Sequence, residues 1–271
     1  MKKLLLLHNR HTADDSDIWR VAIRNGWETT RTNALQIKQH MEGYDFIRYY
    51  GNTLHGALIK DKLPFKFLEI NPNHLANLEF YTKRKIRLMS YKDFAGFSVD
   101  KFIKPVREKW FEAKVYKAGE KIEGSSLEGD EIYVSNVVNF IHEVRCFVLN
   151  GEVLTSSLYR INKIAYDLTE LPPEEINFDK KIEYTPIKQY VKQICNKVNL
   201  PNGVVIDFGM LPNGEWALIE FNEAWASGLY YCDPLKCLDA IVESQVDKIY
   251  THFYPKINCL ITNDIEFLLK K

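Results

Sequence analysis

The sequence predicts an α/β (α+β) protein in which an N-terminal α/β domain is followed by antiparallel sheets. Up to about residue 80, strand-like apolar runs alternate with a helical segment, as is typical of a small open α/β domain. From residue 84 onward, strand-like runs dominate. Two Asn-Gly pairs, at 150–151 and 213–214, each separate two alternating runs. This arrangement is the strongest short-range signal of a β-hairpin.

The N-terminal elements follow from apolar runs and helix-capping signals. Residues 4–7 are all leucine and predict a buried first strand, because the run is too short for the hydrophobic region of a signal peptide. The segment DDSDIWRVAIRNG has Asp and Ser at its start and ends at Gly26, which predicts a short helix. Two further strands are predicted for the runs YDFIRYY and PFKFLEI.

The chain from residue 84 to about residue 180 contains six further predicted strands and a long loop. Residues 161–179 include two adjacent prolines and have no clean period, so we expect a surface loop of the kind that often covers a site. The six strand-like runs are KIRLMS, DKFIKP, WFEAKVY, EIYV, EVRCFVL and EVLTSSLYR.

Two helices are predicted near the C-terminal end. TPIKQYVKQICNKV has an amphipathic period, with Thr185 as cap and Pro186 in the first turn. Asp233 followed by Pro234 predicts the start of a last long helix, which we expect to reach about Tyr250.

Charge and composition exclude several classes of function. The 36 acidic and 36 basic residues give a formal net charge of zero, so no overall field attracts nucleic acid or an anionic membrane. The sequence contains no run of about twenty apolar residues, the length that a membrane-spanning helix needs. The five cysteines are an odd number without CxxC spacing, which indicates free thiols in a reducing compartment. We therefore expect a cytoplasmic protein without nucleic-acid or membrane partners, and its oligomeric state is open.

The second hairpin carries a candidate metal site. With a two-residue turn at its Asn-Gly pair, Asp207 lies opposite Glu220 on one face, and Asn222 lies two residues further on the same face. Opposed carboxylates repel unless a charge offsets them. A hard cation such as Mg²⁺ would do so, with nucleotide phosphates completing its shell. The alternatives are that one acid is solvated, is paired with a lysine, or is out of register.

The first hairpin mixes charged and apolar residues on one face. With a two-residue turn, Arg145 faces Ser156, Glu143 faces Leu158, and Arg160 extends the same face. Such a mixture suits the wall of a ligand cleft, which needs apolar surface and a few placed polar groups. An ordinary sheet that is partly covered by another element, with these charges at its wet margin, is the alternative.

The segment FIKPVREKWFEAKVY is the third candidate feature. Lys104 closes an apolar strand, and Arg107 and Lys109 precede the next one. A lysine at a strand end is a compact charge that suits a phosphate, and a basic surface turn is the alternative. The sequence contains neither GxxxxGK[ST] nor GxGxxG, so P-loop and Rossmann sites have no support.

Taken together, these motifs resemble the ATP-grasp superfamily, in which an Asp on one strand and E-x-N on its hairpin partner bind magnesium. YVSNVVNFIHEVRCFVLNGEV and IDFGMLPNGEWALIEFNEAWASGLY are similar to segments of a clade of small bacterial and phage ATP-grasp proteins. The resemblance implies a two-subdomain ATP-grasp fold after the N-terminal domain. We therefore expect an N-terminal domain at 1–83 and an ATP-grasp domain at 84–271, with its smaller subdomain at 84–133 and its larger one at 134–271.

The resemblance also implies a role for each matching residue. Lys104, Lys109 and Arg145 would act on the phosphates, with Arg145 over the γ-phosphate and the acyl phosphate. The remaining implied positions are Arg84 as a further phosphate ligand, Val134, Ser135, Asn136 and Val137 as the adenine hinge, Glu143 at the ribose, Arg160 beside Arg145, and Asp207, Glu220 and Asn222 around Mg²⁺. From their position just past the metal residues, Trp225 and Tyr230 are expected to line the substrate site.

Two positions depart from the family pattern. The glycine-rich loop that covers the phosphates is replaced by PVREKWFEA, where Lys109 would supply side-chain charge, and Asn136 stands where relatives have an acid. The implied activity is an ATP- and Mg²⁺-dependent carboxylate–amine ligase that forms an acyl phosphate. Its partners would be a carboxylate and an amine acceptor, with a peptide or protein end as one candidate. An ATP-sensing module without turnover and a small-molecule phosphotransferase are the alternatives.

Overall fold

The computed structural model describes residues 1–107, 110–123, 130–162, 164–165 and 183–248. These residues form a three-stranded parallel sheet, a four-stranded and a five-stranded antiparallel sheet, and a two-stranded pair. The predicted α/β fold class with antiparallel sheets is therefore confirmed. No helix in the described ranges is both long enough and apolar enough to cross a membrane.

The strands are β1 (Lys3–His8), β2 (Trp27–Thr32), β3 (Phe46–Tyr50), β4 (Phe65–Phe67), β5 (Ile86–Ser90), β6 (Lys101–Pro105), β7 (Lys114–Tyr116), β8 (Glu131–Ser135), β9 (His142–Leu149), β10 (Glu152–Ile161), β11 (Ile164–Ala165), β12 (Gly203–Met210), β13 (Trp216–Glu223) and β14 (Gln245–Asp247). The helices are α1 (Ala13–Arg24), α2 (Thr53–Ile59), α3 (Asn73–Ala76), α4 (Glu79–Thr82), α5 (Thr185–Lys197) and α6 (Pro234–Glu243).

The parallel sheet has the order β2-β1-β3, with the leucine run of β1 at its centre. The strand β2 was not predicted, because its sequence WETTRT is polar and only Trp27 and Thr32 are buried. The run PFKFLEI was expected to form a strand, but only its centre does so. That strand, β4, pairs with β14 and not with the parallel sheet.

The five-stranded sheet has the order β11-β10-β9-β12-β13 and is covered on both faces. Val144 and Val148 of β9 belong to a core that includes the apolar face of α5. Phe147 of β9 and Val205 of β12 belong to a second core, which includes α6 and the parallel sheet. Helix α6 therefore packs the N-terminal layer against this sheet.

Both predicted C-terminal helices form, but their ends differ from the prediction. Helix α5 is preceded by Tyr184, which caps it with no side-chain hydrogen bond, so the assignment of Thr185 as cap is wrong. Asp233 caps α6 as predicted and accepts hydrogen bonds from the N–H groups of its first turn. The helix ends at Glu243 and not near Tyr250, because the chain turns into β14 to pair with β4.

The hairpin of β12 and β13 reaches the predicted pairing by a different route. Asp207 lies opposite Glu220, as predicted. The turn, however, is one residue longer than predicted, because the N–H of Leu211 bonds to the carbonyl of Glu215 over 2.8 Å. A β-bulge at Ile219 then shifts the register back by one residue. The two deviations cancel at the acidic pair.

The hairpin of β9 and β10 has the predicted two-residue turn but not the predicted register. A bulge at Leu154 places Arg145 opposite Ser157, one residue beyond its expected partner. A second irregularity places Glu143 opposite Arg160, two residues beyond its expected partner. Bulges move pairs without changing the composition of a strand, so the mixed pattern of this hairpin gave no sign of them.

Candidate active site

Five of the predicted site residues form one connected network. Lys104 comes from the four-stranded sheet, Arg145 and Asp207 come from the two central strands β9 and β12, and Glu220 and Asn222 come from β13. The Asn222 amide donates to Oδ2 of Asp207 and to Oε1 of Glu220, over 3.1 Å in each case. The network therefore joins the two antiparallel sheets.

The buried end of this network is the ion pair between Arg145 and Asp207. Nε and Nη2 of Arg145 donate to the two oxygens of Asp207 over 3.0 and 2.7 Å. Asp207 is fully buried and Arg145 is 8% exposed. Burial by itself lowers the pKa of Arg145, but the facing carboxylate raises it above its ordinary value. The guanidinium therefore stays charged, in the bidentate geometry that makes such pairs strong.

The outer end is the ion pair between Lys104 and Glu220. Burial raises the pKa of the Glu220 carboxyl, but the ammonium group of Lys104 and its hydrogen bond lower it to about 2. Glu220 is therefore ionised at neutral pH. The two acids thus each face a basic residue, which is the lysine-paired alternative for Glu220.

The donor set suits a hard divalent cation. Two carboxylates and one amide converge, and the amide lies within 3.1 Å of both acids. Oxygen ligands of this kind select Mg²⁺, and a half-turn of the Asn222 amide would present its oxygen to the same place. Among the described residues, no group of three or more His, Cys, Asp or Glu side chains could hold a metal. The predicted set contains two acids, so the amide and substrate oxygens would complete it.

Arg84 does not point into this network. Its guanidinium is 8% exposed and donates to the backbone carbonyls of Thr82, Leu218 and Ile219 over 3.2, 3.0 and 3.0 Å. Its predicted role as a phosphate ligand stays a prediction. These contacts favour a structural role, in which the side chain binds backbone carbonyls.

Glu143 and Arg160 lie beside the network and pair with each other. Nη1 of Arg160 is 3.2 Å from Oε1 of Glu143. Next to them, the rings of Tyr159 and Tyr230 stack with centroids 4.7 Å apart. Arg145 lies over both rings, with its guanidinium carbon 4.8 Å from the Tyr230 centroid and 5.7 Å from the Tyr159 centroid. The Glu143–Arg160 pair, the two tyrosine rings and the guanidinium of Arg145 therefore lie next to one another.

The predicted hinge, Val134 to Val137, begins in the last two residues of β8, which pair with both β5 and β6, and continues past the end of that strand. The N–H of Asn136 bonds to the carbonyl of Lys85 over 3.2 Å, and its side chain accepts from Lys101 over 2.8 Å. Within the described part of the chain, residues 137–140 form no backbone–backbone hydrogen bond. Of the four predicted hinge residues, only Val137 lies in this stretch, and the recognition of a nucleobase edge needs such unpaired backbone groups.

Two predicted features lie wholly or partly outside the described residues. Lys109 is one of them. The expected loop at 161–179 is the other, because only 161, 162, 164 and 165 are described. Those positions include β11, which pairs with the end of β10, so the predicted loop begins as a strand.

The structure brings Asp14, which the sequence analysis did not mark, next to the segment that follows β13, and it separates the two predicted aromatic residues. Asp14, in the first turn of α1, accepts a hydrogen bond from the N–H of Leu229 over 3.1 Å. No motif marked it, because an acid at that position is also typical of a helix N-terminus.

Trp225 is 6% exposed and stacks on Phe67, so it packs in the core. Tyr230 is 46% exposed and has a φ of 51°, a conformation that is costly for a non-glycine residue.

A separate groove of about 410 Å³ lies between α1 and β2. None of the predicted site residues that the structure describes lines it. Its walls are His11, Ser16, Trp19, Arg20, Thr29, Thr30 and Arg31.

Comparison with known proteins agrees with the sequence motifs. A family model described as ATP-grasp domain, R2K clade family 2, matches residues 81–240. A search of curated proteins returned no match.

Two solved structures share the fold at low sequence identity, and a third is similar at a lower TM-score. N5-carboxyaminoimidazole synthetase from Staphylococcus aureus has a TM-score of 0.50 at 10% identity, over 89% of this chain and 77% of that one. A RimK domain protein ATP-grasp from Sphaerobacter thermophilus also has a TM-score of 0.50 at 10% identity, over 89% and 98% of the two chains. D-alanine–D-alanine ligase from Bacillus anthracis, complexed with ATP, has a TM-score of 0.47 at 13% identity, over 90% and 97%.

Proposed function

Because the chain belongs to R2K clade family 2 of the ATP-grasp domains, we propose that it is an ATP-dependent carboxylate–amine ligase. The observation that carries this proposal is the network from Lys104 to Arg145, which joins two antiparallel sheets around converging acids. We further propose that the smaller subdomain is 84–133, that the larger is 134–271, and that nucleotide binds between them.

The proposed reaction has two steps. The substrate carboxylate attacks the γ-phosphorus of ATP, which gives an acyl phosphate and ADP. The amine then attacks the acyl carbon, the carbon–nitrogen bond forms, inorganic phosphate leaves, and the amine loses a proton. No protein nucleophile is required, since ATP supplies the activation.

The chain's own basic residues suit the first step. Phosphoryl transfer depends on positioning and on neutralising charge at the phosphate oxygens. The side chains of Lys104 and Arg145 are oriented by Glu220 and Asp207, and Nη1 of Arg145 also donates to the carbonyl of Gly228 over 3.0 Å, so both positive charges are positioned before the nucleotide binds. Glu143, whose side chain is 12% exposed, is held by Arg160 and would accept hydrogen bonds from the ribose.

Asp207, Glu220 and Asn222 would hold Mg²⁺. When bound, the ion supplies further charge neutralisation at the phosphate oxygens. The two ion pairs already balance the acids, so the positive charge of the ion would be matched by nucleotide phosphates and not by the protein alone.

ADP release with a panel of acceptors tests the proposal. Purified protein with Mg²⁺, ATP, and carboxylates and amines that include short peptides should release ADP and phosphate and form an amide. Glu220→Gln should lower the rate by about 100-fold or more, because a neutral amide is a poorer ligand for Mg²⁺ and the charge stabilisation that the ion supplies in the transition state would be lost. Glu215→Gln is the matched control, since this acid lies on the same hairpin, with its side chain 53% exposed. If Glu220→Gln turned over at the wild-type rate, the metal assignment would be rejected.

An ATP-sensing module without turnover is the second candidate. It is favoured by the pairing of both acids with basic residues, because the site is electrically balanced before any cation binds. Thermal stabilisation by ATP with no ADP formed across the panel would support it. A phosphorylated product without a new amide would instead indicate a phosphotransferase.

A further inference from the structure

The guanidinium of Arg84 binds the edge strand of the five-stranded sheet, β13, at the point where β13 is irregular. Nη1 donates to the carbonyl of Leu218 and Nη2 to that of Ile219, both over 3.0 Å. Nη1 also donates to Thr82, just before β5. The two β13 carbonyls lie on the outer side of an edge strand, where no strand of the described ranges pairs with β13.

Ile219 is the extra residue of the β-bulge. Phe208 pairs with Leu218, and the next pair along the hairpin is Asp207 with Glu220. In a regular strand that continued from the Phe208 pair, Ile219 would face Asp207. Glu220 would then lie on the opposite face. The bulge is therefore the reason that both acids share one face.

We propose that Arg84 is a positioning residue, which holds the bulge at Ile219 so that Glu220 and Asn222 stay beside Asp207. This inference rests on the proposed function of the site. Hydrogen bonds from a charged guanidinium are stronger than neutral ones. Successive carbonyls of a regular strand point to opposite sides, whereas at this bulge the carbonyls of Leu218 and Ile219 both face Arg84.

The same contacts argue against a direct phosphate contact by Arg84. Three carbonyls occupy its Nη atoms, and the guanidinium lies 5.5 Å from the Phe140 ring. Burial lowers the pKa of Arg84 to about 10, and Glu220 opposes that shift. The side chain therefore remains charged at neutral pH while it faces the protein backbone.

The test compares nucleotide binding with and without Mg²⁺. AMP-PNP binding is measured by calorimetry for wild type, Arg84→Met, Arg84→Lys and Arg48→Met. Arg48 is the control because it is 5% exposed and donates to the carbonyls of Ile47 and Val242 and to the carboxylate of Asp247, away from the bulge. Hydrogen exchange of the 216–223 segment is recorded for the same proteins.

A positioning role predicts that Arg84→Met loses about 10- to 100-fold of the Mg²⁺-dependent gain in affinity, as removal of groups that orient metal ligands does. Affinity for AMP-PNP without Mg²⁺ should change by less than about threefold, since the phosphates are not contacted. Arg84→Lys should resemble Arg84→Met, because one ammonium cannot span both carbonyls in the fork geometry of a guanidinium. Exchange in 216–223 should rise in both variants but not in Arg48→Met.

Three outcomes would overturn the proposal. Equal loss of affinity with and without Mg²⁺, restored by Arg84→Lys, would make Arg84 a phosphate ligand. Wild-type affinity in both Arg84 variants would remove any role at the site. Unchanged hydrogen exchange in 216–223 would show that Arg84 does not hold the bulge. This measurement does not depend on nucleotide binding. Failure of the wild-type protein to bind AMP-PNP would refute the proposed function and not the role of Arg84 at the bulge. If Arg84→Met does not fold, Arg84→Lys supplies the same comparison.

Discussion

Replacing Asp207 with asparagine should destabilise the protein by about 3–5 kcal/mol, because it leaves the charge of Arg145 buried without a counterion. Asparagine keeps the shape and one carbonyl acceptor, so the loss isolates the charge. The geometry supports a large effect. Two hydrogen bonds of 3.0 and 2.7 Å join the pair, Asp207 is fully buried, and Arg145 is 8% exposed.

The size of the effect follows from Coulomb's law and from burial. At 2.7 Å, two unit charges in a medium of effective dielectric constant about 20 attract by about 6 kcal/mol. Part of that attraction offsets the cost of removing both charges from water, which is why the net loss on breaking a pair is smaller. A loss of 3–5 kcal/mol would lower Tm by roughly 6–20 °C for a chain of this size.

Urea denaturation at neutral pH measures the difference, provided that the slope m is unchanged. The control is Glu152→Gln. Glu152 pairs with Lys192 over 3.2 Å, with both side chains 69% exposed, so its loss should cost about 0–1 kcal/mol. If Asp207→Asn were within about 1 kcal/mol of wild type, or equal to Glu152→Gln, the burial argument for this pair would be refuted.

The remaining predictions concern the outer ion pair, a buried histidine and a close backbone approach. Lys104→Met should raise the pKa of Glu220 from about 2 toward its ordinary value and should weaken ATP binding by about tenfold or more. Carboxyl titration by NMR measures the pKa and calorimetry measures the affinity; an unchanged affinity would contradict the phosphate role of Lys104. Burial lowers the pKa of His55 from 6.5 to about 4, so its stabilising contribution is complete above pH 6.5 and is lost as the pH falls through 4. The free energy of unfolding should drop by up to about 3 kcal/mol over that window, and His55→Gln should flatten the profile; an equally steep profile in the variant would reject this source. Gly203→Ala would place a Cβ 1.8 Å from a backbone oxygen of α6 and should cost about 3 kcal/mol or more in urea denaturation, whereas a cost near zero would mean that α6 moves freely.

Local sequence signals identified the hairpins well, because turn chemistry acts over two or three residues. The Asn-Gly pair at 150–151 forms the predicted turn, with positive φ at both residues. At the second hairpin, the same signal gave the correct acidic pair even though the turn is longer. That agreement depended on a bulge at Ile219 that no local pattern encodes.

The partners of the charged residues could not be read from the sequence. Alternation placed Asp207, Glu220 and Asn222 on one face, and it predicted repulsion between the acids. The structure supplies two cations from distant strands, Lys104 and Arg145. These contacts depend on how the two antiparallel sheets meet, which is a long-range property.

By itself, the sequence determined the fold class, the two hairpins and the candidate acids, because periodicity and turn residues report on the local backbone. Only the tertiary structure decided that Arg84 binds the bulge, that Trp225 is core and that Glu143 pairs with Arg160. Each of these depends on which elements pack together and on single-residue shifts in strand register. Such shifts reverse the face of a side chain without leaving a mark in the composition.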